Sequence, residues 1–270
     1  MFYTEVMGAL ERAEAIVRGT LALAEATYRV AYLRDLLREA SPSDLAPALE
    51  ILCARAEQAE PRAREWLVSL VDAITGTAPD LREAVQRLRE EAAGDSHLAL
   101  ERVLRAPPSI PAYGEVGDPN KVRSPDYGAG RPLTLGERKS LARRPDRDML
   151  ARLLLDPHPE VISRLLGNPK LTEDDVVRLA SKRPCRPDVL AEISRHEKWM
   201  HRARVRLSIV LNPGTPPEIS GPLVSLLMRQ ELKLVAETTA VPRVVRALCL
   251  EHLARRPPGD FDDEEDAGLQ

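Results

Sequence analysis

The run Glu173-Asp174-Asp175 places three carboxylates in a row, the residue type that general acid–base work requires. Consecutive helical residues diverge by about 100°, so these three cannot converge on one point. Placed behind Thr172, they suit the first turn of a helix, where negative charge meets the positive end of the helix dipole. The three cysteines, Cys53, Cys185 and Cys249, lie too far apart for any zinc-ligand spacing. Cys53 and Cys249 fall among apolar helical residues and read as packing groups. Cys185 sits in a turn beside Pro184 and Arg186, where positive charge lowers a thiol pKa, so a reactive thiol is the minor reading there. His97, His158, His196, His201 and His252 form neither HExxH nor a mixed Cys/His ligand pattern. There is no GxSxG, no P-loop and no GxGxxG, and Gly128-Ala129-Gly130 is too short to cradle phosphates. The expectation is therefore a protein that is not an enzyme and that holds no cofactor and no metal.

Basic side chains supply the remaining chemistry. Lys182, Arg183 and Arg186 cluster at one proline turn, and Arg202, Arg204 and Arg206 follow in KWMHRARVRLSIV. Arg202 and Arg206 share a helix face at i, i+4, whereas Arg204 points elsewhere. Aligned on one surface, Lys182, Arg183, Arg186, Arg202 and Arg206 would form a positive groove for carboxylates or phosphates. The alternative is a solvated helix surface in an arginine-rich composition.

The charge balance along the chain gives this weight. Over 270 residues the net charge is −3, from 39 Lys and Arg against 42 Asp and Glu. Residues 1–106 carry 13 basic and 18 acidic groups, residues 131–256 carry 24 and 15, and the last 14 residues carry six acidic groups and no basic one. A positive half flanked by negative segments is a statement about association. The acidic run from Asp260 has a composition that stays disordered; it could fold back on the basic half or simply confer solubility. Hydrophobic residues at 43% exclude a wholly disordered chain. No apolar stretch approaches the ~18 residues of a membrane span, and Glu5, Glu11 and Glu14 break any secretory signal pattern. A cytoplasmic location is expected.

The elements that must position these residues are helices. Over residues 1–106, apolar positions recur at helical spacing, as in Leu45, Leu49, Leu52 and Ala56, or Trp66, Leu67, Leu70 and Val71. Pro61 and Pro79 stand where first-turn prolines belong. β-Branched residues never alternate, so no strand is expected. Residues 107–133 hold six Pro and four Gly and keep no helical period; they read as a linker that Tyr113 and Tyr127 could pin.

From about 134 the chain repeats. Polar-Pro pairs precede short helical runs: Arg144-Pro145, Asp156-Pro157, Asn168-Pro169, Arg183-Pro184 and Asn212-Pro213, with Val241-Pro242 last. Each run carries only a few apolar residues, such as Val176, Val177 and Leu179. None is long enough to be stable alone, so neighbours must pack on it. The unit read from the prolines is one short helix, or two across the longer intervals. The run LARRPDRDMLARLLLDPHPEVISRLLGNPKLTEDDVVRLASKRPCRPDVLAEI resembles the leucine-rich-repeat-variant and HEAT-like α-solenoids of bacteria. That resemblance covers residues 134–256 and implies stacked short helices that present a binding surface. One protein type of that kind carries an amino-terminal cysteine cluster for an iron–sulfur group; no such cluster occurs here.

The sequence thus predicts an all-α chain with four parts. They are a helical bundle over 1–106, a Pro/Gly-rich linker over 107–133, an α-solenoid over 134–256, and an acidic tail over 257–270. The expected role is a non-catalytic adaptor or scaffold whose basic surface meets an acidic protein partner. Nucleic-acid backbone binding through the same residues is the alternative. Trp199 is the only aromatic residue between 131 and 256, which argues against base stacking. Self-association through the Ala/Leu-rich amino-terminal helices is compatible with either.

Overall fold

The computed structural model describes residues 2–75, 79–105 and 117–256. Among these residues all regular structure is helical, and no helix is long and apolar enough to cross a membrane. The chain forms two compact units, one of residues 1–107 with 221–270, the other of residues 108–220.

The first unit contains α1 (Phe2–Ala22), α2 (Ala26–Glu39), α3 (Pro42–Glu57), α4 (Pro61–Ile74), α5 (Pro79–Gly94) and α6 (Leu98–Leu104). Proline opens α3, α4 and α5, where its missing N–H costs nothing and its fixed φ suits the helix. Helix α3 is the centre: it packs on α1, α4, α5 and α6. Leu45, Leu49 and Leu52 from α3, Trp66 and Leu70 from α4, Leu88 from α5 and Leu100 from α6 are fully buried. Each such side chain contributes about 1.5–3 kcal/mol by leaving water. The Glu50 carboxylate accepts the free N–H groups of Ala99 and Leu100 at 3.1 and 2.8 Å and so caps α6.

The same unit includes α15 (Arg229–Glu237) and α16 (Arg243–Arg255), which pack on each other. The expected solenoid over 134–256 is therefore divided between two units. Polar contacts account for the grouping of its last part with the first 107 residues. Arg105 pairs with Glu251 of α16 at 2.7 Å, and buried His252 lies 3.8 Å from Glu57 of α3. Glu57 is held by Arg102 through two 2.7 Å hydrogen bonds, a bidentate pair inside the unit. Arg256, also buried, donates to the carbonyls of Leu227 and Ser225. The acidic run from Asp260 lies outside the described residues, as does Tyr113.

The second unit contains α7 (Leu135–Ala142), α8 (Arg147–Leu153), α9 (Pro159–Leu166), α10 (Glu173–Ser181), α11 (Pro187–Ser194), α12 (Glu197–Met200) and α13 (Ala203–Leu211). The chain returns to the first unit within α14 (Pro217–Val224). Helix α7 packs on α9, α9 on α11, and α10 on α13. Within the segment expected as a linker, residues 117–133 carry a short 3-10 helix at 119–121 and a buried anchor, Tyr127. The Tyr127 hydroxyl donates to the Asp156 carboxylate. That carboxylate also accepts Arg138 Nη1, at 2.8 and 2.9 Å to its two oxygens, and the His158 N–H at 2.9 Å. Burial and the Asp156 charge push the Tyr127 phenol above its ordinary range.

Candidate partner-binding surface

The second unit repeats its local chemistry, with an offset of 38 residues across the leading helices and 44 at the Asn-Pro turns that follow. Thr134 accepts the Glu137 N–H while Glu137 accepts the Thr134 N–H; Thr172 and Asp175 make the same reciprocal capping box. The two helices so started, α7 and α10, end alike. Asn168 Nδ2 donates to the carbonyls of Ala142 and Arg144, both at 2.8 Å. Asn212 Nδ2 donates to those of Ala180 and Lys182, at 2.6 and 3.0 Å. Each Asn Oδ1 also accepts the N–H two residues on, from Lys170 at 3.0 Å and from Gly214 at 2.9 Å. The Asn-Pro turn that closes each passage, three helices in the first and four in the second, is thus clamped to the end of the passage's leading helix. The structural period is longer than the proline spacing suggests, and α12 lengthens the second passage relative to the first.

The carboxylates of the Glu173-Asp174-Asp175 run diverge, each to its own partner. Asp175 is buried, completes the Thr172 capping box and pairs with Arg147, Nη2 to Oδ1 at 2.9 Å. Its carboxyl is held down to about 2, first by Arg147 and then by Thr172. Glu173 faces Arg202 at 3.9 Å and Asp174 faces Arg204 at 2.8 Å. Among the described residues no group of three or more His, Cys, Asp or Glu side chains gathers as a metal site. Burial pushes the Cys185 thiol up to about 11, outweighing the lowering by Lys182, so the turn does not activate it.

The five basic residues singled out in the sequence occupy different situations. Arg206 is 9% exposed and donates to the Met200 carbonyl at 2.8 Å, inside the packing. Arg186 forms a fork to Asp188 at 3.0 and 2.7 Å and also donates to the Gly117 carbonyl. Arg202 is exposed beside Glu173. Lys182 and Arg183 are exposed at the end of α10; Arg183 donates to the Leu211 carbonyl at 3.0 Å. The structure therefore keeps Lys182 and Arg183 together, commits Arg186 and Arg206 to internal bonds, and sets Arg202 against a carboxylate.

Other cations at the first Asn-Pro turn escaped the sequence reading. Arg143, Arg144 and Lys170 are exposed and form no ion pair among the described residues. The Asn168 clamp brings their backbones to one place. The signal was present in the sequence: Arg143-Arg144-Pro145 and Lys182-Arg183-Pro184 are the same pattern one repeat apart. No protein-family model, curated protein or solved structure matches the chain. Function therefore rests on this geometry alone.

Proposed function

We propose that this protein is a non-catalytic adaptor or scaffold in which a solenoid-like array of short helices presents a basic surface to an acidic protein partner. One observation supports the reading above the others. Residues 117–220 carry 20 Lys and Arg against 14 Asp and Glu, and the ion pairs remove the two signs one for one, so the cationic excess remains. Lys121, Arg123, Arg143, Arg144, Arg164, Lys170, Arg178 and Lys182 are left exposed without an ion pair among the described residues. An uncompensated positive surface attracts acidic ligands and speeds their encounter.

The pattern suits separate carboxylate side chains better than a continuous phosphate backbone. Exposed carboxylates of Glu160 and Asp174 interrupt the positive surface, and each would repel a phosphodiester passing over it. Trp199 is buried, with its indole N–H donating to the Leu166 carbonyl at 2.8 Å, so it offers no face for base stacking. The test is titration of the full chain with fluorescent oligo-glutamate and with duplex DNA, at low and high salt. Binding of the peptide, weakened by salt, is expected. Binding of the duplex at low salt without binding of the peptide would replace this reading with the nucleic-acid one.

Self-association is a separable reading, favoured by exposed Val6 and Met7 on α1 and Tyr28 on α2. Sedimentation at increasing protein concentration tests it.

A further inference from the structure

We infer that the partner is gripped at two equivalent stations, one at each Asn-Pro clamp: Arg143, Arg144 and Lys170 at the first, Lys182 and Arg183 at the second. The ligand that fits is an acidic peptide segment with two groups of carboxylates. This inference rests on the proposed reading of the second unit as an acidic-partner surface and assigns its contact residues.

The argument begins with the last carbonyls of α7 and α10. A helix end leaves carbonyl groups without intrahelical partners, and nearby Lys or Arg side chains commonly satisfy them. Here Asn168 takes the Ala142 and Arg144 carbonyls, and Asn212 takes those of Ala180 and Lys182. The clamp thereby satisfies these carbonyls without Arg143, Arg144 or Lys182; Arg183 caps a different helix end, at the Leu211 carbonyl 3.0 Å away. Arg143, Arg144 and Lys182 make no ion pair among the described residues, nor do Arg164 of α9 and Arg178 of α10, whereas Arg147 is committed to Asp175, Arg202 to Glu173 and Arg204 to Asp174. What sets the turns apart is that their free charge stands on backbone fixed by buried asparagines. A rigid backbone under a free charge lowers the ordering cost of binding.

The stations are not identical. Lys170 supplies a third cation to the first, and the corresponding position in the second is Gly214. A Cβ at Gly214 would lie 2.9 Å from the Cys185 carbonyl oxygen and 3.2 Å from Asn212 Oδ1, so the fold admits no side chain there without a shift. The first station should therefore contribute more than the second.

The experiment measures oligo-glutamate affinity, by anisotropy at low salt, for the full chain and three double variants. R143S/R144S and K182S/R183S remove the stations; R202S/R204S removes helix-body cations as a control. Circular dichroism confirms folding of each. A loss of about fivefold for each station variant, larger for the first, with less than twofold for the control, is the expected result. Wild-type binding that falls equally in the control and the station variants would overturn the stations while leaving the basic-surface reading intact. Absence of wild-type binding at low salt would overturn both.

Discussion

Asn168 and Asn212 make the same set of bonds in successive passages of the second unit: Nδ2 to two carbonyls at the end of the leading helix, Oδ1 to the N–H two residues ahead. Both asparagines are 1% exposed. Among the common residues only Asn and Gln carry the carboxamide that donates twice and accepts, and Gln sets it one methylene farther from the backbone.

The first prediction concerns that role. Asn212→Ala leaves the Ala180 and Lys182 carbonyls without that donor and should destabilise the protein by about 2–4 kcal/mol; Asn168→Ala should cost less, because the Arg144 carbonyl keeps the Asp146 N–H at 2.9 Å. Asp at either site should be nearly as damaging, since a carboxylate cannot donate and would face the same carbonyls. Urea unfolding followed by emission of Trp199 in a Trp66→Phe background checks both, and a change under about 0.5 kcal/mol would show that the clamp is ornamental.

The Tyr127–Asp156 bond should tie the segment 117–133 to the helices. Tyr127→Phe deletes one buried hydrogen bond, at a cost of about 1–2 kcal/mol, and frees the backbone around it. Limited trypsin digestion should then cut faster after Lys121 and Arg123 while the helices resist. Asp156→Ala should be worse, about 3–5 kcal/mol, because it strands the buried Arg138 guanidinium.

His252 should make stability depend on pH. Burial first, then the Arg256 and Arg102 charges, lower its imidazole to about 4, from an ordinary value of 6.5. Between those values the unfolded chain binds more protons than the folded one, so stability falls as pH drops from 6.5 toward 4 and is fully present above 6.5. Its share is about 3 kcal/mol at most. His252→Gln should flatten that part of the profile in thermal unfolding series at successive pH values.

The thiols should be inert. Burial raises Cys185 to about 11, Cys249 to about 12, and Cys53 well above its ordinary value. At neutral pH iodoacetamide should modify none of them rapidly in the folded chain, as followed by intact mass.

How far the sequence alone could lead is visible residue by residue. Thr172 with its acidic first turn is a local signal, read from adjacent positions, and the cap is where the pattern puts it. The first-turn prolines of α4 and α5 are local in the same sense. Arg206 shows the limit. Spacing alone placed it on a face with Arg202, but which side of α13 meets the core depends on contacts with α10, which no local pattern encodes. The grouping of α16 with the first helices depends likewise on Glu57 and Arg105 meeting His252 and Glu251 across long sequence separations. Arg143 and Arg144 were overlooked because the Asn-Pro pairs were read as helix stops rather than as donors to a distant turn.

Amide hydrogen exchange of the full chain, with and without saturating oligo-glutamate at low salt, tests the central claim most directly. Added protection confined to the turns at 142–145 and 180–184 and to the Asn168–Lys170 turn is the predicted result. Protection spread along the helix bodies, or lying only in the first unit, would contradict it.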